Sequence, residues 1–151
     1  MRATNHALTG AVIGLTITEP AAAIPVAIIS HFVCDAIPHY GQDILGSKRL
    51  RTILFRRLLY VDTVLCLGLV ILLAVNRPIN WQLAVICAFS AAAPDLFSIN
   101  RYRHVLEHTK WRPNLYSKFA VWVQWFEHPI GAVVEIAWLI GAIVLLVPFW
   151  R

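Results

Sequence analysis

The chain has 151 residues, of which 59% are hydrophobic and only 14% charged, with a formal net charge of +5. Average soluble domains hold about 45–50% apolar and about 25% charged residues, so this composition argues against an ordinary cytosolic globule. The 13 lysines and arginines fall in clumps between long apolar runs and not along a polar face, which sets nucleic-acid binding aside and makes the charge a matter of membrane topology.

Two short apolar runs come first, Asn5 to Thr18 and Ala21 to Ile37, parted by Glu19-Pro20. Each falls short of the roughly 20 residues that cross a hydrocarbon layer of ~30 Å comfortably. They form either two short spans in a thinned bilayer or a re-entrant hairpin, and in both cases His6 and Asp35 end on the same side. Gly10 and Gly14 have the small-xxx-small spacing that lets these two helices pack closely. Arg2, the stretch from Ala7 to Ile17 and the small residues Ala21 to Ala23 imitate a secretory signal. A lone basic residue and the Glu-Pro pair ahead of the supposed cleavage point favour a retained helix instead.

A third helix is expected from Arg57 to Asn76, a fourth from Trp81 to Ile99 after the Arg77-Pro78 break, and a fifth from Pro129 to Trp150, where Pro129 suits a first helical position. Between the fourth and fifth, Leu115 to Phe126 carries Tyr116, Trp122 and Trp125 beside Lys118 and Gln124, and reads as an amphipathic helix lying on the surface. Cys34, Cys66 and Cys87 stand singly in apolar stretches, without the paired spacing of a disulfide framework or a thiolate zinc site. The expected fold is an all-α integral membrane bundle forming one domain over 1–151. It has about five transmembrane helices, the first two short, and an interfacial amphipathic helix.

With five spans, Arg2, Lys48, Arg49, Arg51, Arg56, Arg57, Arg101, Arg103, Lys110, Arg112 and Lys118 share one side, leaving Arg77 and Arg151 on the other. The positive-inside rule then puts the amino terminus of this multi-pass chain in the cytoplasm and its carboxyl terminus outside.

The polar residues inside these helices gather at one depth. His6 begins the first helix, His31 and Asp35 close the second with His39 just beyond, Asp62 opens the third, Asp95 closes the fourth and Glu135 opens the fifth. At 1.5 Å per residue all lie within about 9 Å of the cytoplasmic interface. Ionisable groups there cost at least ~2.5 kcal/mol each unless they pair, face water or bind an ion. His31-x-x-x-Asp35 puts an imidazole and a carboxylate on one helical face, a turn apart, where they can share a metal. Pro38 turns the chain so that His39 stands on a bend. Mixed imidazole and carboxylate donors suit zinc first, then manganese or iron(II), and the number of donors leaves room for a second ion. His6, His31, Asp35, Asp62, Asp95 and Glu135 are the candidate ligands, Glu135 is also placed to take a proton from bound water, His39 can serve as a ligand or proton shuttle, and His128 is an additional candidate. His104-Val-Leu-Glu107-His108 also fits the inverted zincin pattern, although its basic loop setting and Pro113 favour contact with lipid headgroups.

Four stretches, T-N-H-A-L-T-G-A-V-I-G, S-H-F-V-C-D-A-I-P-H-Y-G, A-A-P-D-L-F and W-F-E-H-P-I-G-A-V-V-E, together resemble the bacterial membrane-bound metal-dependent hydrolases, small inner-membrane proteins of several helices. The resemblance implies a His/Asp metal centre at the cytoplasmic membrane and matches His6, His31, Asp35 and Asp95, with His39 and Glu135 next. The expected function is metal-dependent hydrolysis of a lipid-like phosphoester or ester, with membrane lipid and no nucleic acid as partner. A second copy of the chain could complete the site. Two alternatives of other classes stand beside it: a cation carrier, and a non-enzymatic membrane protein whose polar cluster organises helix packing.

Overall fold

Apolar runs interrupted by proline and asparagine turns produce helices throughout. The structure, a computed structural model, describes residues 1–40, 48–99, 103, 104, 107, 110 and 112–150, with 48–52 and 55 described through their backbone alone. In chain order the helices are α1 (Ala3–Thr16), α2 (Pro20–Ala36), α3 (Lys48–Asn76), α4 (Trp81–Ala92), the single turn α5 (Pro94–Phe97), α6 (Leu115–Val123) and α7 (Gly131–Leu146), which ends in a 3-10 turn (Val147–Trp150). The described residues contain no strand; one isolated parallel bridge joins His39 to Glu127.

Several boundaries depart from the sequence expectation for local reasons. Helix α3 starts at Lys48 and not at Arg57, because the basic residues ahead of the apolar run are themselves good helix formers. The single helix expected from Trp81 to Ile99 breaks at Ala93: Pro94 offers no N–H to continue the ladder, and Leu96 bonds back to the Ala93 carbonyl at 2.9 Å instead. Helix α6 stops at Val123, short of Phe126, because the next residues turn to pair with the His39 segment, whose N–H donates to the Phe126 carbonyl at 3.4 Å. Helix α7 starts at Gly131, two residues after Pro129, and Pro148 lies in its closing 3-10 turn. Between α3 and α4 the chain reverses through Arg77 and Asn80, both at positive φ (47° and 65°). Asparagine tolerates that geometry better than most residues.

Helix α1 runs through the middle of the bundle and touches α2, α3, α4 and α7. The expected partner of the Gly10 and Gly14 pair was α2; their partner is α4. A Cβ added at Gly10 would stand 2.2 Å from the Cys87 carbonyl oxygen, and one at Gly14 would stand 2.6 Å from the Ala84 Cα. The two backbones therefore lie against each other with no side chain between them. Around this seam Ala7, Leu8, Ala11 and Leu15 pack with Leu69 and Leu73 of α3, Ala84 and Ala88 of α4, and Ala142 and Leu146 of α7. A second apolar cluster joins Ala23 and Ala27 of α2 to Leu83, Cys87 and Ala91 of α4. All three cysteines are free thiols.

The outside of the bundle is as apolar as its inside. Arg56–Asn76 and Gly131–Trp150 are long and apolar enough to cross a membrane, and only 17% of each is buried in the protein. The core helix of a soluble protein would be mostly covered. Here Ile71 and Val75 on α3 are 62% and 74% exposed, and Val133 and Val144 on α7 are 64% and 60% exposed. Pro20–Ala36 and the broken rod Trp81–Phe97 are shorter apolar helices, so two of the five expected spans reach full length.

Candidate metal centre

The hairpin of α1 and α2 brings the first turn of α1 to the last turns of α2, and the elbow between α4 and α5 arrives at the same place. His6, His31 and Asp95 thereby offer one ligand atom each from three separate segments, all within 4.8 Å of one another. The two imidazoles stack with centroids 4.1 Å apart and planes inclined by 26°. His6 is fully buried, and His31 and Asp35 are 3% exposed.

Asp35 is the hub between the rings. Its Oδ1 lies 3.1 Å from His6 Nε2, and its Oδ2 lies 3.4 Å from His31 Nε2. Gln124, just past the end of α6, donates to Oδ2 at 3.0 Å, and the Met1 amino group donates to Oδ1. Removing a carboxylate from water is costly, and these partners compensate its charge from every side.

The partners also assign the ring tautomers. His6 donating Nε2–H to Asp35 leaves Nδ1 as a buried lone pair, and this Nδ1 is the one buried side-chain polar atom without a partner among the described residues. His31 donates Nδ1–H to the Ala91 carbonyl at 2.8 Å, which turns the Nε2 lone pair toward the site. A ligating histidine characteristically gives its other ring N–H to a carboxylate or a backbone carbonyl, and these two rings have one partner of each kind. His6, His31 and Asp95 could therefore hold a divalent ion, with Asp35 orienting the His6 ring and the Ala91 carbonyl orienting the His31 ring.

The remaining candidates take other places. Asp62 is bound by Thr4 Oγ1 at 2.6 Å and by Arg2 Nε at 3.1 Å, so its charge is met outside the three-residue group. Glu135, 8% exposed on the first turns of α7, lines a cavity together with Asp62 and Asp95. Its helix is held to α1 by Asn5, whose side-chain amide donates to the Glu135 carbonyl at 3.2 Å, and by Trp138, whose indole donates to Thr9 Oγ1 at 2.9 Å.

His39 donates Nδ1–H to the Ile37 carbonyl at 2.9 Å and faces Glu127 at 4.0 Å, while its own carbonyl accepts from the His128 N–H at 3.0 Å. Burial holds the His39 imidazole below its ordinary range, so the ring is neutral at pH 7. His128 is exposed and accepts the Ile130 N–H at its Nδ1, 3.3 Å away. The zincin-like match includes Val105, Leu106 and His108, which lie outside the described residues; its Glu107 forms an exposed i, i+4 pair with the preceding Arg103 at 2.8 Å.

Sequence reasoning passed over four contributors: the Met1 amino group, Arg2, Thr4 and Gln124. Gln124 carried a signal, as the uncharged polar residue within the aromatic run Val121 to Phe126, but an interfacial helix assigns such a residue to water. No family model matches the chain, and neither the curated proteins nor the solved structures contain a match to it.

Proposed function

We propose that this chain is a multi-pass protein of the cytoplasmic membrane, amino terminus inside, that hydrolyses a lipid-like phosphoester or ester at a divalent-metal centre. The observation that carries the reading is the convergence of His6, His31 and Asp95 from three segments around a buried, unpartnered imidazole nitrogen. The imidazole and carboxylate donor set fits zinc first, and manganese or iron(II) next. A bound divalent ion would supply Lewis-acid polarisation of a phosphoryl or acyl oxygen.

The chain's own residues then have separable tasks. His6, His31 and Asp95 bind the ion, Asp35 fixes the His6 ring by accepting its Nε2–H, and the Ala91 carbonyl fixes the His31 ring through Nδ1–H. Gln124 ties Asp35 to α6, so the interfacial helix bears directly on the site. Glu135 lines the same cavity as Asp95, where its carboxylate can take a proton from the attacking water and return it to the leaving oxygen. His39, neutral and close by in the chain, is the second proton-handling group. Aromatic and apolar residues of α6, including Phe119 and Trp122, are exposed and set this face of the molecule at the headgroup level.

Hydrolysis is tested with purified, zinc-loaded protein in phospholipid vesicles, following release of the water-soluble headgroup. Glu135→Gln should lower turnover by about 10²–10⁴-fold with metal content unchanged, the range for loss of a general base. Turnover at the wild-type rate in that variant would remove Glu135 from the mechanism, and no turnover by the wild type on any phospholipid or isoprenoid phosphate would remove the hydrolase reading.

The topology is tested separately. A reporter fused after Trp150 should be found outside the cytoplasm, and a cytoplasmic signal there would mean that the α1–α2 hairpin does not cross.

One observation favours the packing alternative: every Asp35 oxygen already has partners within the protein. That alternative requires that no metal be bound. A carrier would need a polar path onward, and the far half of the bundle is filled by Ala11, Leu15, Leu69 and Leu73.

A further inference from the structure

Helices α3 and α4 touch only over part of their length. In the half remote from the metal centre, Leu69 and Leu73 close onto Ala84 and Ala88. Toward the centre a gap opens between them, beside Ala92 and Ala93 and the bend at Pro94. The gap is a cavity of about 850 Å³, within the ~300–1,000 Å³ of small-molecule sites.

Its two ends differ in chemistry. Leu59, Cys66 and Leu67 form one wall at helical spacing on α3, and Phe89, Ala92 and Leu96 form the facing wall on α4 and α5. Asp62, Asp95 and Glu135 stand at the inner end beside Arg2, and the Arg103–Glu107 pair also borders the cavity. Phe89 and Leu67, although part of the walls, are 64% and 57% exposed, so the gap opens sideways onto the apolar exterior between α3 and α4, while its other end reaches the buried Asp62 and Glu135.

The geometry points to a lateral lipid site: the cavity takes one hydrocarbon chain of a membrane lipid between α3 and α4, with the polar linkage of that lipid at Asp95. Three features select this occupant over a soluble one. The walls are apolar, the entrance faces the surface that α3 offers to the bilayer, and Asp95 belongs both to the cavity and to the three-residue metal group, so the polar end of the site continues into the candidate centre. This inference deepens the lipid-hydrolase reading and rests on it for the position of the linkage, while chain binding itself requires neither metal nor turnover.

The test uses the whole protein, treated with chelator, in phosphatidylglycerol vesicles in which one acyl chain carries a photoreactive diazirine. After illumination, mass spectrometry should find adducts at Leu59, Cys66 and Phe89 at least ~5-fold above those at Val64, Ile71 and Val75, outward positions of α3 that sample bulk lipid equally well. Cys66→Trp, which fills the gap, should reduce the cavity adducts to the level of the outward positions. Leu67→Trp, at a more exposed wall position where folding is least at risk, should do the same. Equal labelling of cavity and outward residues, or cavity labelling unaffected by either tryptophan in folded protein, would overturn the lipid site. Enrichment at the cavity in protein that binds no metal and hydrolyses nothing would uphold the site while the hydrolase reading fails. Hydrolysis with no enrichment would do the reverse.

Discussion

Purified protein should carry one or two equivalents of a divalent metal, zinc before manganese or iron(II), and His31→Ala should lose it. His31 contributes an Nε2 lone pair directed to the site by its bond to the Ala91 carbonyl, and it contacts Asp35 and stacks on His6. Loss of groups that merely orient a metal ligand costs about 10–100-fold in affinity, so removal of a ligand itself should cost at least ~100-fold and leave the protein effectively metal-free after dialysis. Deleting one member of a buried cluster also destabilises. Asp95→Ala is the companion variant, because Asp95 is only partly buried and its loss disturbs the packing less. Elemental mass spectrometry of the wild type and both variants, each shown to be folded by circular dichroism and size-exclusion chromatography, decides the matter. Metal at wild-type stoichiometry in Asp95→Ala and His31→Ala would refute the assigned ligands. A wild type that binds no metal even after reconstitution would leave the polar cluster as a packing device.

The second large effect is expected at the α1–α4 seam. Gly10→Ala and Gly14→Ala each add one methyl group where the nearest atoms are backbone, at 2.2 Å from the Cys87 carbonyl oxygen and 2.6 Å from the Ala84 Cα. No rotamer change relieves such contacts, so one helix must move away from the other. Overpacking of a core typically costs 1–3 kcal/mol and occasionally more, and a backbone-to-backbone clash belongs at or above the top of that range, about 3 kcal/mol. Gly68→Ala and Gly141→Ala make the same chemical change with nothing within 4 Å, and should instead stabilise by up to about 1 kcal/mol through helix propensity. Thermal unfolding in one detergent, monitored for all four variants, should separate them into two classes of opposite sign. Equal effects in all four would mean that α1 and α4 are not in close contact. The seam also sets the site, since sliding α1 along α4 would carry His6 away from Asp95.

Much of this was legible in the sequence. Apolar runs of helical length, parted by Glu19-Pro20 and Arg77-Pro78, determined an all-helical chain, because a backbone in apolar surroundings must satisfy its own hydrogen bonds. The ends of the helices were less certain, since proline and charge mark where a helix is disfavoured but tertiary pairing decides where it stops. The His39 segment drew Phe126 out of α6 in this way. Ionisable residues at matching depths marked His6, His31, Asp35, Asp95 and Glu135 as one group, for cost alone makes such a coincidence meaningful.

Only the tertiary structure decided how that group divides. The i, i+4 spacing of His31 and Asp35 predicted a shared metal, yet a spacing along one helix cannot say which atoms remain free once other helices arrive. Asp35 has both oxygens against His6, His31, Gln124 and the Met1 amino group, whereas Asp95 offers an oxygen within 4.8 Å of the ring nitrogens of the two histidines. Asp62 looked equivalent in depth, but Arg2 and Thr4 reach it first. Gly10 and Gly14 were legible as a contact surface, and their partner was not, because small residues permit close approach without specifying what approaches. The chain by itself determined composition, helicity and the position of its polar residues near the ends of apolar helices, which depend on local chemistry. Rotation of each helix about its axis, and with it which side-chain atoms are paired and which face one another across the site, depended on packing across the whole bundle.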